Sequence, residues 1–120
     1  MTSPQSYIRK NIRLECSHTV FFTRDSFSTK NDTLSEILQP KREGNRTKTL
    51  VFVDEGIMDG NPNLLEHISS YFRSREDRIN LVCPPKFIKG GEPAKNDWGL
   101  VEYIWELLNK HGMCRHSYVV

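Results

Sequence analysis

The sequence predicts an α/β fold in three layers, a sheet of strands covered by helices, and three observations predict it. Short apolar runs alternate with longer segments whose apolar residues recur at helical spacing: Leu50-Val51-Phe52-Val53 and Ile79-Asn80-Leu81-Val82-Cys83 are the runs, and 62–73 and 97–110 are the segments. The runs stop at strand-ending residues, Asp54-Glu55-Gly56 after the first and Pro84-Pro85 after the second. The 120 residues make one domain, long enough to bury roughly two-thirds of the surface its unfolded chain exposes. Strands that alternate with helices in this way build a Rossmann-like sheet.

Residues 1–7 are polar and are expected to be flexible, so the α/β domain is assigned to 8–120. From Ile8 onward the apolar residues alternate. Ile8, Ile12, Leu14, Cys16, Val20 and Phe22 share one parity, with Lys10 and His18 as exceptions. Period two over this length predicts a strand, either one long bent strand or a hairpin breaking near Ser17-His18. Cys16 then reads as a small apolar strand residue and His18 as a half-buried one. Thr33 with Glu36 spells a capping box for a short helix that presents Leu34, Ile37 and Leu38 and stops at Pro40.

Residues 41–48 read as a solvated loop of mixed charge, and Lys48 to Val53 as a buried strand. Asp54 falls at its carboxyl end, where ligands bind in open α/β sheets. An acid there equally suits the capping of a turn. Asn61-Pro62 signals a helix start, and Leu64, Leu65, Ile68, Tyr71 and Phe72 bury one side of that helix. The charged stretch 73–78 is expected to be solvated. Ile79 to Cys83 forms the next strand, with Cys83 as a small apolar residue in it. A last helix runs from Asp97 to Lys110, with Trp98, Val101, Ile104, Trp105 and Leu108 on its packed face and Gly112 as its stop.

Composition excludes several classes. With 37% apolar and 27% charged residues the chain has the make-up of a globular protein, not a disordered one. A net charge of +2 is too small to call for nucleic acid or an anionic membrane as partner. No apolar run approaches the ~20 residues that cross a bilayer, and the first residues lack the apolar core of a signal peptide, so no membrane partner and a cytoplasmic setting are expected. Cys16, Cys83 and Cys114 are scattered and odd in number, which argues against a disulfide framework. His111, Cys114 and His116 lie close together, yet their spacing matches no zinc pattern, and they read as a helix-to-strand turn with no metal assigned.

The candidate site is Gly90-Gly91-Glu92-Pro93-Ala94-Lys95, between a strand and a helix. Two glycines let a backbone come close to a ligand because no Cβ intervenes. A carboxylate and an ammonium three residues apart suit a ribose, whose hydroxyls the acid accepts from while lysine donates or screens a phosphate. A plain turn beside two solvated charges has the same composition. The loop lacks the G-x-G-x-x-G spacing and carries Pro93, which disfavours an ordinary Rossmann dehydrogenase.

Taken in order, Asp54-Glu55-Gly56 after one strand, Gly90-Gly91-Glu92-x-x-Lys95 after the next, and the apolar Ser117-Tyr118-Val119-Val120 after a third helix resemble the N-terminal half of the sugar phosphate cyclases, the 3-dehydroquinate synthase superfamily. The resemblance runs from Phe27 to Val120. Phe27-Ser-Thr-Lys-Asn31-Asp-Thr-Leu34 and Cys114-Arg-His-Ser-Tyr-Val-Val120 look closer to divergent branches such as the 2-epi-5-epi-valiolone synthases and the synthase-like proteins of bacterial ebo clusters.

The resemblance implies NAD as cofactor. Asp54, Glu55 and Gly56 match the first NAD contact, Gly90 and Gly91 the close backbone approach, and Glu92 and Lys95 the ribose contact. Gly56 departs from several relatives, which carry asparagine there. It further implies a zinc or cobalt ion, a sugar phosphate substrate that loses phosphate and closes into a carbocycle, and a homodimer for the complete enzyme. The family's glycine-rich pyrophosphate loop would begin after Val120 and its metal ligands later still. On that reading the chain is the N-terminal part of a cyclase, inactive alone and prone to associate through its apolar end. Iron-type alcohol dehydrogenases share this architecture but not the Gly90 loop, and a stand-alone nucleotide-binding or regulatory module is the remaining alternative.

Overall fold

The structure is a computed structural model that describes residues 6–120. The tail expected to be flexible, 1–7, therefore lies mostly outside the described residues. The chain is mixed α/β, and its strands pair in parallel. β1 (Thr47–Leu50) and β2 (Phe52–Asp54) follow one another with Val51 between them. β3 (Ile79–Leu81) pairs with β1 in the register Thr47↔Ile79 to Thr49↔Leu81, and β4 (Lys86–Ile88) pairs with β2 in the register Phe52↔Lys86 to Asp54↔Ile88. β5 (Tyr118–Val119) pairs with the other side of β1, and Phe52 N–H continues that ladder to the carbonyl of Val120.

Two hydrogen bonds join these pairs into one surface. The Val82 and Lys86 N–H groups donate to the carbonyls of Thr49 and Val51, so β3 and β4 lie along the same side of the central strand. Between the paired residues Thr49↔Leu81 and Phe52↔Lys86 the central strand has two residues and its neighbour has four. Cys83-Pro84-Pro85 occupies the excess, because a proline donates no ladder bond and is tolerated where the ladder is broken. The sequence reading took the second strand as Ile79 to Cys83 and missed β4, which resumes pairing after the prolines.

Strand alternation sets the two faces. Val51 and Val53 face a core with Leu38, Ile68, Tyr71, Phe72 and Ile79. Ile68, Tyr71 and Phe72 come from α2 (Leu64–Arg73) at helical spacing, and each such burial contributes about 1.5–3 kcal/mol. Lys48 has the opposite parity, and its Nζ donates to the carbonyls of His111 and Gly112 at 2.8 and 3.2 Å, closing the end of α3 (Trp98–Lys110). Asp97 caps the other end of α3 by accepting from Leu100 N–H at 3.1 Å.

Several expectations are corrected. Residues 8–22 form no strand. They are extended and exposed, because within the described chain no neighbouring strand offers them hydrogen bonds. Cys16 and His18 are accordingly exposed rather than strand-packed. Thr33 lies inside α1 (Thr33–Ile37) and makes no capping box; Asn31 Oδ1 accepts its N–H instead, at 3.0 Å. α2 begins at Leu64, not Pro62, and Asn61 donates from its side chain to the Ile57 carbonyl rather than capping. Of α3 only Leu107 is buried, while Trp98 and Trp105 are 61% and 56% exposed and pack on each other edge-to-face. The packed face is Leu100, Val101, Ile104, Leu107 and Leu108.

The largest correction is Arg75, assigned to a solvated stretch and 5% exposed in the structure. Its Nη2 donates to the carbonyls of Thr29 and Asn31 and to Asp32 Oδ1 at 3.1, 3.1 and 2.7 Å. Its Nη1 donates to Ser74 Oγ at 2.9 Å, and the guanidinium lies 4.0 Å over the Tyr71 ring. The Tyr71 hydroxyl in turn accepts from Ser35 N–H at 2.9 Å. Replacing Arg75 by alanine strips two carbonyls of their donor and a ring of its cation. Arg75→Ala should lower stability by about 2–3 kcal/mol in urea unfolding, and Arg75→Lys should recover only part of it, since an ammonium lacks the planar fork. An unchanged unfolding midpoint would remove Arg75 from its structural role.

Candidate functional site at the carboxyl ends of the strands

Asp54 ends β2 and Ile88, its register partner, ends β4, so the segments that follow leave the sheet side by side. After Asp54 the chain turns into a 3-10 helix, Glu55–Gly60, whose first turn is held by Asp54 Oδ1 accepting from Gly56 N–H at 2.8 Å. After Ile88 come Lys89 and the two glycines, then a second 3-10 helix, Glu92–Asn96.

Each glycine of the pair is required for its own reason. Gly90 is seated against the Asp54 carboxylate, and a Cβ built there would fall on that side chain. Gly91 has φ +83° and ψ −172°, a region that essentially only glycine adopts. Gly56 is under a weaker demand. Its φ lies outside the left-handed region, and a Cβ there would press on Asp54 Oδ1 at 3.3 Å, so a side chain needs that carboxylate to give slightly.

The sequence-predicted residues therefore divide. Asp54, Gly56 and Gly90 are brought together by contact, and Gly91 shapes the turn that follows. Glu92 and Lys95 form a pair of their own, Nζ to Oε1 2.7 Å, with side chains 84% and 69% exposed. An ion pair so exposed adds little to stability. Glu55 is exposed, with no side-chain hydrogen bond among the described residues. The site is an open surface rather than a cavity, with carboxylates at both edges and a glycine floor.

The connection from β2 through α2 leads to one side of the central strand, and that from β4 through α3 leads to the other. Open α/β sheets bind ligands outside the carboxyl ends of their strands, which is where this surface lies.

Two features were missed in the sequence. A cavity of about 610 Å³ lies between the loop Asp25–Thr29 and α2, lined by Phe27, Asn61, Leu64 and His67 among others. Its signal, Asp25 at φ +50° turning the chain, is a conformation that no local motif announces. At the opposite end of the sheet Cys114 sits exposed in a tight turn, where its N–H donates to Ser117 Oγ at 2.9 Å. The backbone N–H of His116 and then the Ser117 hydroxyl hold its thiol below the usual value; burial opposes them, and the Lys48 ammonium adds a lesser lowering effect. Among the described residues no group of three His, Cys, Asp or Glu comes together to hold a metal. No described helix is long and apolar enough to cross a membrane. Comparison with protein-family models, with curated proteins and with solved structures gives no match.

Two measurements check this geometry. Gly90→Ala should destabilise the fold by about 1–3 kcal/mol, and should cost distinctly less on an Asp54→Ala background. Equal cost on both backgrounds would show that the carboxylate is not what Gly90 accommodates. Alkylation of Cys114 should follow a pH midpoint below that of an unperturbed thiol, because the hydrogen bonds favour the thiolate. Ser117→Ala should move that midpoint up, and a midpoint that stays in place would remove the Ser117 hydroxyl as a cause.

Proposed function

We propose that this chain is the NAD-binding part of a sugar phosphate cyclase of the 3-dehydroquinate synthase kind, with a Rossmann-like fold. The observation that carries the reading is the seating of Gly90 against Asp54, which sets the Gly90-Gly91-Glu92-x-x-Lys95 loop beside Asp54-Glu55-Gly56 at the carboxyl ends of neighbouring parallel strands. Those are the two motifs that the resemblance assigns to one cofactor, and they are far apart in sequence.

The residues present fit the adenine-side ribose of NAD. Gly90 lets the Asp54 carboxylate sit directly against the loop, and Gly91, which is exposed and at φ +83°, offers the backbone that a ligand can approach. Asp54 keeps Oδ2 for a hydroxyl while Oδ1 holds Gly56 N–H. Lys95 engages Glu92 Oε1 and leaves Oε2 to accept from the ribose. When bound, NAD supplies hydride chemistry, the transient oxidation of an alcohol. This chain's own residues bind and orient the cofactor's far end and touch no reacting carbon. The zinc or cobalt ion of the complete enzyme finds no ligand set among the described residues, so its part of the chemistry is assigned to none of them. The sugar phosphate substrate belongs to the complete enzyme as well.

Calorimetric titration with NAD tests the reading. Each charged hydrogen bond contributes about 1.5–3 kcal/mol, so Glu92→Ala should weaken NAD binding about ten- to a hundredfold. Lys95→Ala should weaken it less, since lysine acts largely through the exposed Glu92. In a complete enzyme the loss should raise the NAD requirement and leave turnover at saturating NAD largely intact, because the contact is equal in ground and transition states. Wild-type protein that binds no NAD, or a Glu92→Ala variant that binds it equally well, would end the proposal.

A further inference from the structure

Residues 7–22 take part in neither the site nor the core. Their apolar side chains stand in solvent, with Ile8 98%, Leu14 85% and Phe22 97% exposed. Among the described residues no backbone hydrogen bond involves them. The chain's radius of gyration is 20.1 Å, against about 14 Å for a compact domain of this length, so the segment extends the molecule well beyond a compact body. Strand periodicity with an open row of N–H and C=O groups is the description of a strand awaiting a partner.

The sequence specifies that partner, because the segment is complementary to itself. Set two copies antiparallel with Leu14 opposite Leu14. Arg13 of each then faces Glu15 of the other, an opposite-charge pair made twice. Ile12 faces Cys16, Ile8 faces Val20 and Tyr7 faces Phe21, so apolar residues meet apolar ones. Lys10 and His18, the two polar exceptions to the apolar parity, face each other. Neighbouring registers lose this match. A centre on Arg13 or on Glu15 sets that charge against its own copy, and a centre between residues puts the apolar parity of one strand against the charged parity of the other.

We propose that residues 7–21 are a dimerisation strand, pairing with the same strand of a second copy about a two-fold axis at Leu14. The two-fold makes every contact twice and closes the assembly. A two-stranded ribbon alone is marginal, so the dimer is expected to be weak and to depend on concentration. The inference does not depend on NAD binding.

Sedimentation velocity of the full chain at about 100 µM tests it. The wild type should contain dimer. Arg13→Glu replaces two attractive pairs with two repulsive ones and should raise the dissociation constant about tenfold. The swap Arg13→Glu with Glu15→Arg should restore it. Because the segment lies outside the core, these variants should keep the wild-type urea unfolding midpoint, which separates lost pairing from lost folding. In a Cys16→Ser background, Leu14→Cys should give a disulfide-linked dimer on oxidation, and Arg9→Cys should give far less. A monomeric wild type, a dimer indifferent to Arg13→Glu, a swap that fails to restore, or equal cross-linking at both positions would each overturn the proposal.

Discussion

The guanidinium of Arg75 is the constraint on which the remaining packing rests. It closes the end of α2 and holds the loop before α1 by the carbonyls of Thr29 and Asn31, while the backbone carbonyl of Arg75 accepts the N–H of Ile79 where β3 begins. One residue thus ties a loop, a helix and a strand that are remote in sequence. A buried arginine is tolerable only when its donors are used and its charge is answered, and here Asp32, two carbonyls and the Tyr71 ring do so. Asp32 remains largely exposed, so what matters most is the satisfaction of backbone groups rather than an ion pair in a dry interior. Tyr71 extends the same clasp to α1 through Ser35, and Phe27 packs edge-on against its ring.

At the other end of the sheet a single carboxylate does comparable work. Asp54 turns the chain after β2 by accepting from Gly56, and the same group occupies the space that a side chain at Gly90 would need. Acid and glycine are therefore coupled: each explains why the other residue type stands there. This coupling holds whatever ligand binds, since it concerns the shape of the surface. What the surface offers is open backbone between carboxylates, a combination suited to hydroxyl donors.

How far this was legible in the sequence follows from the range of each interaction. The central strand and the two longer helices rest on local periodicity and were readable; the boundary of α3 at Asp97 was readable because its cap is local. The partnership of Gly90 with Asp54 was readable only as a motif, because the contact between them depends on strand register. Arg75 was not readable, since the acceptors that bury it, on Thr29, Asn31 and Asp32, lie more than forty residues away and nothing near it in sequence marks it as buried. β4 was hidden by Pro84-Pro85, which argue against a strand locally and do not prevent pairing from the next residue, Lys86. The tryptophans of α3 misled because helical spacing identifies a face without saying what covers it.

The segment 8–22 shows the same difficulty in its sharpest form. Period two is a valid signal of strand, and it describes a strand with one face covered and one in solvent. The sheet that this chain builds is of the other kind. Its central strand is buried on both parities at its middle, Thr49, Leu50 and Val51 alike. Neither side of that sheet accommodates a long amphipathic strand either. One is broken by the two extra residues at Cys83-Pro84-Pro85, which blunts it as a template, and the other offers only the few residues of β5. The alternation is present in residues 8–22, but they form no strand within this chain. A segment whose pattern suits a sheet that its own domain does not make finds its best match in its own sequence, run antiparallel from Leu14.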